Sequence, residues 1–209
     1  MRTAIWIGGL LSTIGLLGCG GGGSSSSGPT AEPSAPSTSP FAIVEPFVSA
    51  QDVGDIREAF SASSNAPWGF AHDGVDFFPA ADLMPVQAAA AGRVEFVNQM
   101  PNNVTGNWQV NVRVRYDATD AVEYVFEPFS RSEEAAQAQR SQIAVQSGQQ
   151  LSARQLVGRI VIRGEGAHLH FGIAHGAGFV CPEPFFTPDA RTAVLAVLRT
   201  RHPGWNLCY

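Results

Sequence analysis

The sequence predicts a mainly β protein of the α+β kind, an antiparallel sheet with helices at its periphery. Three observations carry that prediction. Val110-Asn111-Val112-Arg113-Val114-Arg115 alternates apolar and polar strictly, the pattern of a strand with one wet face. Other short apolar runs are separated by turns that contain glycine. Helical spacing is confined to a few segments near the ends and in one polar insertion.

Taken in order, Val53 to Ala62 reads as a helix near the start of the folded part. Val86-Gln87-Ala88 follows a proline and Arg93 to Val97 follows Gly92; both read as strands. Residues 110–115 form the alternating strand, and Ala121 to Phe126 forms another, stopped by Pro128. Ser132 to Ser141, rich in Glu, Ala and Gln, reads as a short exposed helix in an insertion. Ile143 to Val145, Leu156 to Ile162 and His168 to Ala174 complete the strands. Pro188 to Arg201 reads as a helix, with Ala193, Val194, Val197 and Leu198 as its apolar stripe.

The chain opens with one charge, Arg2, and an apolar run from Ala4 to Leu17 that is too short to span a bilayer. That arrangement marks residues 1–18 as a secretory signal. Leu16-Leu17-Gly18-Cys19 resembles a bacterial lipobox, which makes Cys19 the expected lipidation site and the protein an exported, membrane-anchored lipoprotein. Residues 19–40 are nearly all Gly, Ser, Pro, Thr and Ala, a tether whose ends lie roughly 25 Å apart by the scaling of flexible linkers. Residues 41–209 are long enough for one core.

Formal net charge is −5 and the chain contains no lysine. The absence of a basic patch or run argues against nucleic acid and against electrostatic capture by anionic membranes or polymers. Setting Cys19 aside leaves Cys181 and Cys208, an even pair in an oxidising compartment and the expected disulfide.

Two segments carry the chemistry: His72-Asp73-Gly74-Val75-Asp76 and His168-Leu169-His170-Phe171. Imidazole and carboxylate donors bind zinc at about 2.0–2.2 Å, and a catalytic site keeps three protein ligands and one open position. In a strand His168 and His170 project to one face while Leu169 faces the core. The first segment needs a bend, because a straight strand would hold His72 and Asp76 roughly 13 Å apart. Asp73-Gly74 can supply it.

These two segments, with Val86-x-Ala88, Gly92-x-Val94 and a later Gly-x-x-Val between them, resemble the lysostaphin-type (LytM-like) zinc endopeptidases over about Trp68 to Ile173. The resemblance implies a compact β domain of the barrel-sandwich type and a peptidoglycan or peptide substrate. It implies one zinc ion, with His72, Asp76 and His170 as ligands. It makes His168 one of two histidines that handle protons. The family's other such histidine lies in a Tyr-x-His-Leu segment, and the matching stretch here reads Tyr124-Val125-Phe126-Glu127-Pro128. Glu127 is the substitute, since a carboxylate beside a metal-bound water is a competent base. Adjacent strand residues face opposite ways, so Glu127 is expected to reach the site only through a bulge or a shift at Pro128. Tyr124 shares the face of Phe126 and is expected to hydrogen-bond there.

Two functions follow from the resemblance. The first is a zinc-dependent peptidoglycan endopeptidase. The alternative is a catalytically degenerate, metal-binding module that binds cell wall or regulates a partner wall hydrolase. Elsewhere, His175 is expected in an exposed turn, His202 to cap the last helix, Trp68 to pack, and Asp73 to be a turn residue.

Overall fold

The computed structural model describes residues 41–209; the expected signal sequence, Cys19 and the tether lie outside them. A short 3-10 turn, Ala50–Asp52, capped by the Ser49 side chain, leads into β1 (Val53–Glu58). There follow β2 (Val75–Pro79), β3 (Met84–Gln87), β4 (Gly92–Pro101), β5 (Trp108–Arg115) and β6 (Asp120–Glu127). Helix α1 (Glu133–Ser141) precedes β7 (Gln150–Leu151), β8 (Leu156–Ile160), β9 (His168–His175) and β10 (Gly178–Val180), and α2 (Pro188–Arg201) comes last.

The architecture is the antiparallel, mainly β one the sequence predicts. The main sheet runs β1-β2-β9-β6-β5-β4-β7, with β10 paired to the far end of β9. It is not closed into a barrel. β3 and β8 make a separate two-stranded sheet. β9 lies between β2 and β6 and pairs with β6 residue for residue from Asp120↔His175 to Glu127↔His168. One face of these three strands is core. Val75 and Phe77, Tyr124 and Phe126, and Leu169, Phe171 and Ile173 are all fully buried there. Each such side chain contributes roughly 1.5–3 kcal/mol of burial, which fixes the register, since a slip by one residue would turn the whole set outward.

The first expected helix is instead a strand. Val53 and Ile56 are buried three positions apart, which imitates helical spacing, but bulges between Val53 and Asp55 and between Ile56 and Glu58 produce that spacing in a strand paired to β2. Ile143 to Val145 forms only a single bridge, Ile143↔Gly158, because Gln142 and Ile143 lie tight against Gly158 without a continuing ladder. Helix α1 falls where expected but is not merely exposed. Ala135, Ala136 and Gln139 are buried, and the Gln139 side chain donates to Arg159 O at 2.7 Å and accepts from Val161 N–H at 2.8 Å. Helix α2 matches its expected bounds, opened by Thr187 accepting from Ala190 N–H.

Cys181 and Cys208 form a disulfide with Cα atoms 5.8 Å apart. It holds the final residues beside segment 60–62, where Phe60, Ala62 and Tyr209 exchange backbone hydrogen bonds with one another and with Leu207. Trp68 packs with Trp205 and Tyr209, ring centroids 5.5 and 5.3 Å away. His202 is the C-cap of α2 through its backbone N–H to Leu198 O. Its side chain turns away from the helix end, to Asp55 Oδ1 at 2.9 Å and flat against Trp205. His175 ends β9 rather than sitting in a loop, with Nδ1 2.7 Å from Asp120 Oδ1.

Candidate metal centre

The face of β2, β9 and β6 opposite the core gathers the chemistry. Cross-strand register does the gathering. Asp76 pairs with His170, and His168 pairs with Glu127. Each pair lies on neighbouring strands with side chains on one face, close enough to interact directly. His72 comes from outside the strands. It is bridged to Ser61 through reciprocal backbone hydrogen bonds of 2.8 and 2.9 Å, and the bend at Asp73-Gly74 brings its ring over the sheet.

Three donor atoms meet. His170 Nδ1 is 2.9 Å from Asp76 Oδ1 and 3.2 Å from His72 Nε2, and His72 Nε2 is 3.3 Å from Asp76 Oδ1. Ligands about 2.0–2.1 Å from a tetrahedral zinc stand roughly 3.3 Å from one another. The triangle thus has the size of one tetrahedral face, and its chemistry, two imidazoles and a carboxylate, suits that ion. The second nitrogen of each ring is also occupied. His72 Nδ1 donates to Ala59 O at 3.0 Å, and His170 Nε2 lies 3.5 Å from the Asp73 carboxylate. Such outer partners fix the tautomer that turns the other nitrogen to the metal. Asp73 is exposed, and at 3.5 Å its carboxylate lies at ion-pair distance from His170 without a hydrogen bond to it.

Gly74 is required by space. A Cβ there would stand 2.6 Å from the His170 ring and 2.7 Å from Phe171 O. Its backbone is not left-handed, so the glycine in the expected bend is required by close approach and not by its dihedral angles.

Glu127 reaches the site without a bulge. β6 is regular throughout its pairing with β9, so Glu127 shares the face of His168, with Oε1 3.6 Å from His168 Nε2. It is Phe126 that faces the core. Tyr124 does share the face of Phe126, but that face is interior, and its hydroxyl accepts from Ala89 N–H at 2.7 Å instead of serving the site. The motif comparison that matched Phe126 to the family histidine was one position out of phase with the sheet. His168 Nδ1 donates to Gly166 O at 2.7 Å, which leaves Nε2 facing Asp76 Oδ2 at 3.5 Å and Glu127. Phe78 stacks on the His168 ring, and Arg57 lies over Phe78 at 4.2 Å.

Electrostatics follow from crowding. Burial pulls both His72 and His168 toward the neutral form, yet the hydrogen bond and charge of Asp76 on His72, and the charges of Asp76 and Glu127 on His168, hold each at about 9 without metal. Burial pushes Asp76 up, but the three surrounding imidazoles more than offset it and keep it well below the usual carboxylate range.

Sequence reasoning missed Glu58. It pairs with Asp76 across β1 and β2, and its pKa is pushed up to about 7, first by burial and then by Asp76. The signal was hidden because the same residues read as a helix. It also missed Phe129, which lies in the left-handed region (φ 59°) with its ring on the Cα of Gly166, half-exposed at the groove edge. The unusual Gly164-Glu165-Gly166 run makes room for it. The whole site opens into a groove of about 770 Å³ walled by Phe70, Val104 and Phe129.

No protein-family model and no curated protein sequence matches this chain. Solved structures do. Csd3 from Helicobacter pylori aligns with a TM-score of 0.50 at 20% identity, over 75% of this chain and 40% of that one. Lysostaphin from Staphylococcus simulans aligns with a TM-score of 0.48 at 21% identity, over 79% and 62%. A zinc-containing peptidase from Vibrio cholerae aligns with a TM-score of 0.44 at 20% identity, over 66% and 39%. This chain therefore spans less than half the length of Csd3. The fold is the one shared by lysostaphin-type peptidases.

Proposed function

We propose that this protein is a zinc-dependent metallohydrolase, an endopeptidase that cleaves an amide bond of peptidoglycan. The observation that carries this reading is the convergence of His72 Nε2, Asp76 Oδ1 and His170 Nδ1 to within 2.9–3.3 Å of one another, at the floor of an open groove. A purely structural zinc site is closed by a fourth ligand; a catalytic one faces a cleft.

Zinc held by these three residues supplies Lewis acidity to a carbonyl oxygen and a lowered pKa to a coordinated water. Glu127, with its carboxylate on the groove side of His168, accepts the proton of the attacking water. His168 Nε2 donates to the departing amine, and its ring is kept in place by the Gly166 carbonyl and the Phe78 stack. A positioned acid–base group of this kind is worth about 10²–10⁴ in rate. The half-exposed aromatic walls suit an extended peptide.

The alternative, a degenerate metal-binding module acting on cell wall or a partner hydrolase, rested on the loss of the Tyr-x-His histidine. With Phe126 in the core and Glu127 facing His168, that argument weakens. Cys19 as a lipid anchor and export to an oxidising compartment complete the reading, supported by the Cys181–Cys208 disulfide.

The test is incubation of the zinc-replete chain with purified sacculi, with new amino termini identified by mass spectrometry. Release that disappears in His168→Ala and Glu127→Gln is expected. Turnover surviving both changes would overturn the mechanism, and no turnover at full zinc occupancy would favour the binding module. Labelled palmitate incorporation that is lost in Cys19→Ala tests the anchor.

A further inference from the structure

The outward face of β5 changes character along its length. Val110 and Val112 are fully buried, so Gln109, Asn111, Arg113 and Arg115 share the other face. The two arginines are held there by Glu95, at 3.2 and 3.0 Å. Gln109 and Asn111 instead line the groove, beside the exposed Val104. Gln109 Nε2 donates to Asn111 Oδ1 at 2.9 Å. Gln109 is only 8% exposed, and its Oε1 has no hydrogen-bond partner. A buried acceptor without a donor is costly, and in a native protein it calls for a partner. The internal bond occupies the Asn111 oxygen, so the pair keeps one acceptor, Gln109 Oε1, and one donor, Asn111 Nδ2. Register ties the pair to the candidate metal centre. Asn111 is opposite Val125 on β6, and Val125 is opposite His170 on β9. Neighbouring strands lie about 4.8 Å apart, which puts the backbone of Asn111 roughly 10 Å from that of His170, about three residues of an extended chain. Val125 lines the groove between them and offers no polar group.

We propose that Gln109 and Asn111 form a substrate subsite that holds the backbone of the peptide about three residues from the bond cleaved. This inference rests on the endopeptidase reading and adds a binding site to it. In an extended peptide the N–H and C=O of one residue point to the same side, which is how paired strands exchange two hydrogen bonds. Gln109 Oε1 accepts that N–H, and Asn111 Nδ2 donates to that C=O. Recognition of this kind needs no particular side chain, so the pair sets how long a peptide must be and not which residues it carries. A sugar N-acetyl group offers a similar amide, but the row from His170 to Asn111 runs straight across the strands at the spacing of an extended peptide.

The test measures binding of fluorescein-labelled oligoglycines and peptidoglycan stem peptides of increasing length to the zinc-loaded full chain, with cleavage followed in parallel. Affinity is expected to rise about 5–20-fold at the length that first reaches β5. In Gln109→Leu and in Asn111→Leu that step should disappear, while shorter peptides bind as they do to the parent. A step kept in both variants, an equal loss on short and long peptides, or no peptide binding at all overturns the proposal. So does a missing step when Gln109→Leu weakens binding of N-acetylglucosamine oligomers, which assigns the pair to sugar. Peptides cleaved with no length step leave the endopeptidase reading standing and the subsite wrong. A length step lost in the variants, with no peptide or sacculus cleaved, keeps the subsite and overturns hydrolysis.

Discussion

The imidazole of His170 lies against the Cα of Gly74, so closely that a Cβ at position 74 would stand 2.6 Å from both Cε1 and Nε2 of the ring. This contact joins the two metal segments more tightly than the ligands alone do. Gly74→Ala must push the ring aside or shift the strand, since Phe171 O closes the other side at 2.7 Å. Overpacking of this kind costs about 1–3 kcal/mol. The expected outcome is a fall in zinc affinity of about 10–100-fold with the fold retained, read by chelator competition beside circular dichroism. Unchanged affinity would mean the ring position does not matter to the metal.

The acid–base pair separates from the ligand set by stoichiometry. Glu127→Gln and His168→Ala each should lower turnover by about 10²–10⁴-fold while the chain keeps close to one zinc, measured by elemental analysis. His170→Ala should lose the metal and the activity together. A Glu127→Gln protein that has lost its zinc would move Glu127 from proton transfer to metal binding.

The fold was largely legible because strict alternation at residues 110–115 and the His-x-His strand are strong period-two signals, and α2 carries a clear apolar stripe. What misled the reading were bulges. They break period two, so β1 looked helical and Glu58 stayed hidden in it. The phase of β6 was lost for a different reason. Tyr124, Val125 and Phe126 are all apolar or aromatic and all buried, so hydrophobicity could not say which face looks inward. The metal segments needed no such phase, because His168 and His170 flank the fully buried Leu169 and so share the opposite face.

That phase can be tested by restoring the family residue in the wrong place. Phe126→His puts an imidazole into a fully buried site among Leu169 and its neighbours, with no groove access. Loss of aromatic burial plus a buried polar ring should cost about 3–5 kcal/mol. The expected outcome is a marked drop in denaturation midpoint and no gain in turnover. Higher activity would return Phe126 to the active-site face.

Metal-free stability should fall as pH rises. His72 and His168 are held at about 9 against an ordinary 6.5, so the stability they add is complete below about 6.5 and is lost as pH passes through about 9. Glu58, raised to about 7, adds a cost that grows between about 4.5 and 7 as it is forced to ionise. Asp76 acts at the other end: its lowered pKa adds stability that disappears only on strong acidification. Zinc requires the imidazole nitrogens free of protons, so its stabilisation grows over the same range. Thermal melts at about pH 6, 7.5 and 9 should give a declining Tm in chelator and a widening gap with zinc. A gap that narrows with pH would contradict the ligand set.

The disulfide supports the candidate metal centre from a distance. Cys208 lies in the terminal segment that hydrogen-bonds Phe60 and Ala62. Ser61 in turn bonds His72 through its backbone, and Ala59 O accepts from His72 Nδ1. His72 is thus positioned by a segment whose outer side is held by the C-terminus. The bond spans 27 positions, which in the chain-entropy model stabilises by about 3.5 kcal/mol. Cys181→Ser, or mild reduction, should therefore lower Tm and also weaken zinc binding severalfold, although neither cysteine touches the metal. His170→Ala in the same background sets the floor. If zinc affinity is unchanged in a reduced chain whose Tm has dropped, His72 is held by the β2 bend alone and the terminal segment serves stability only.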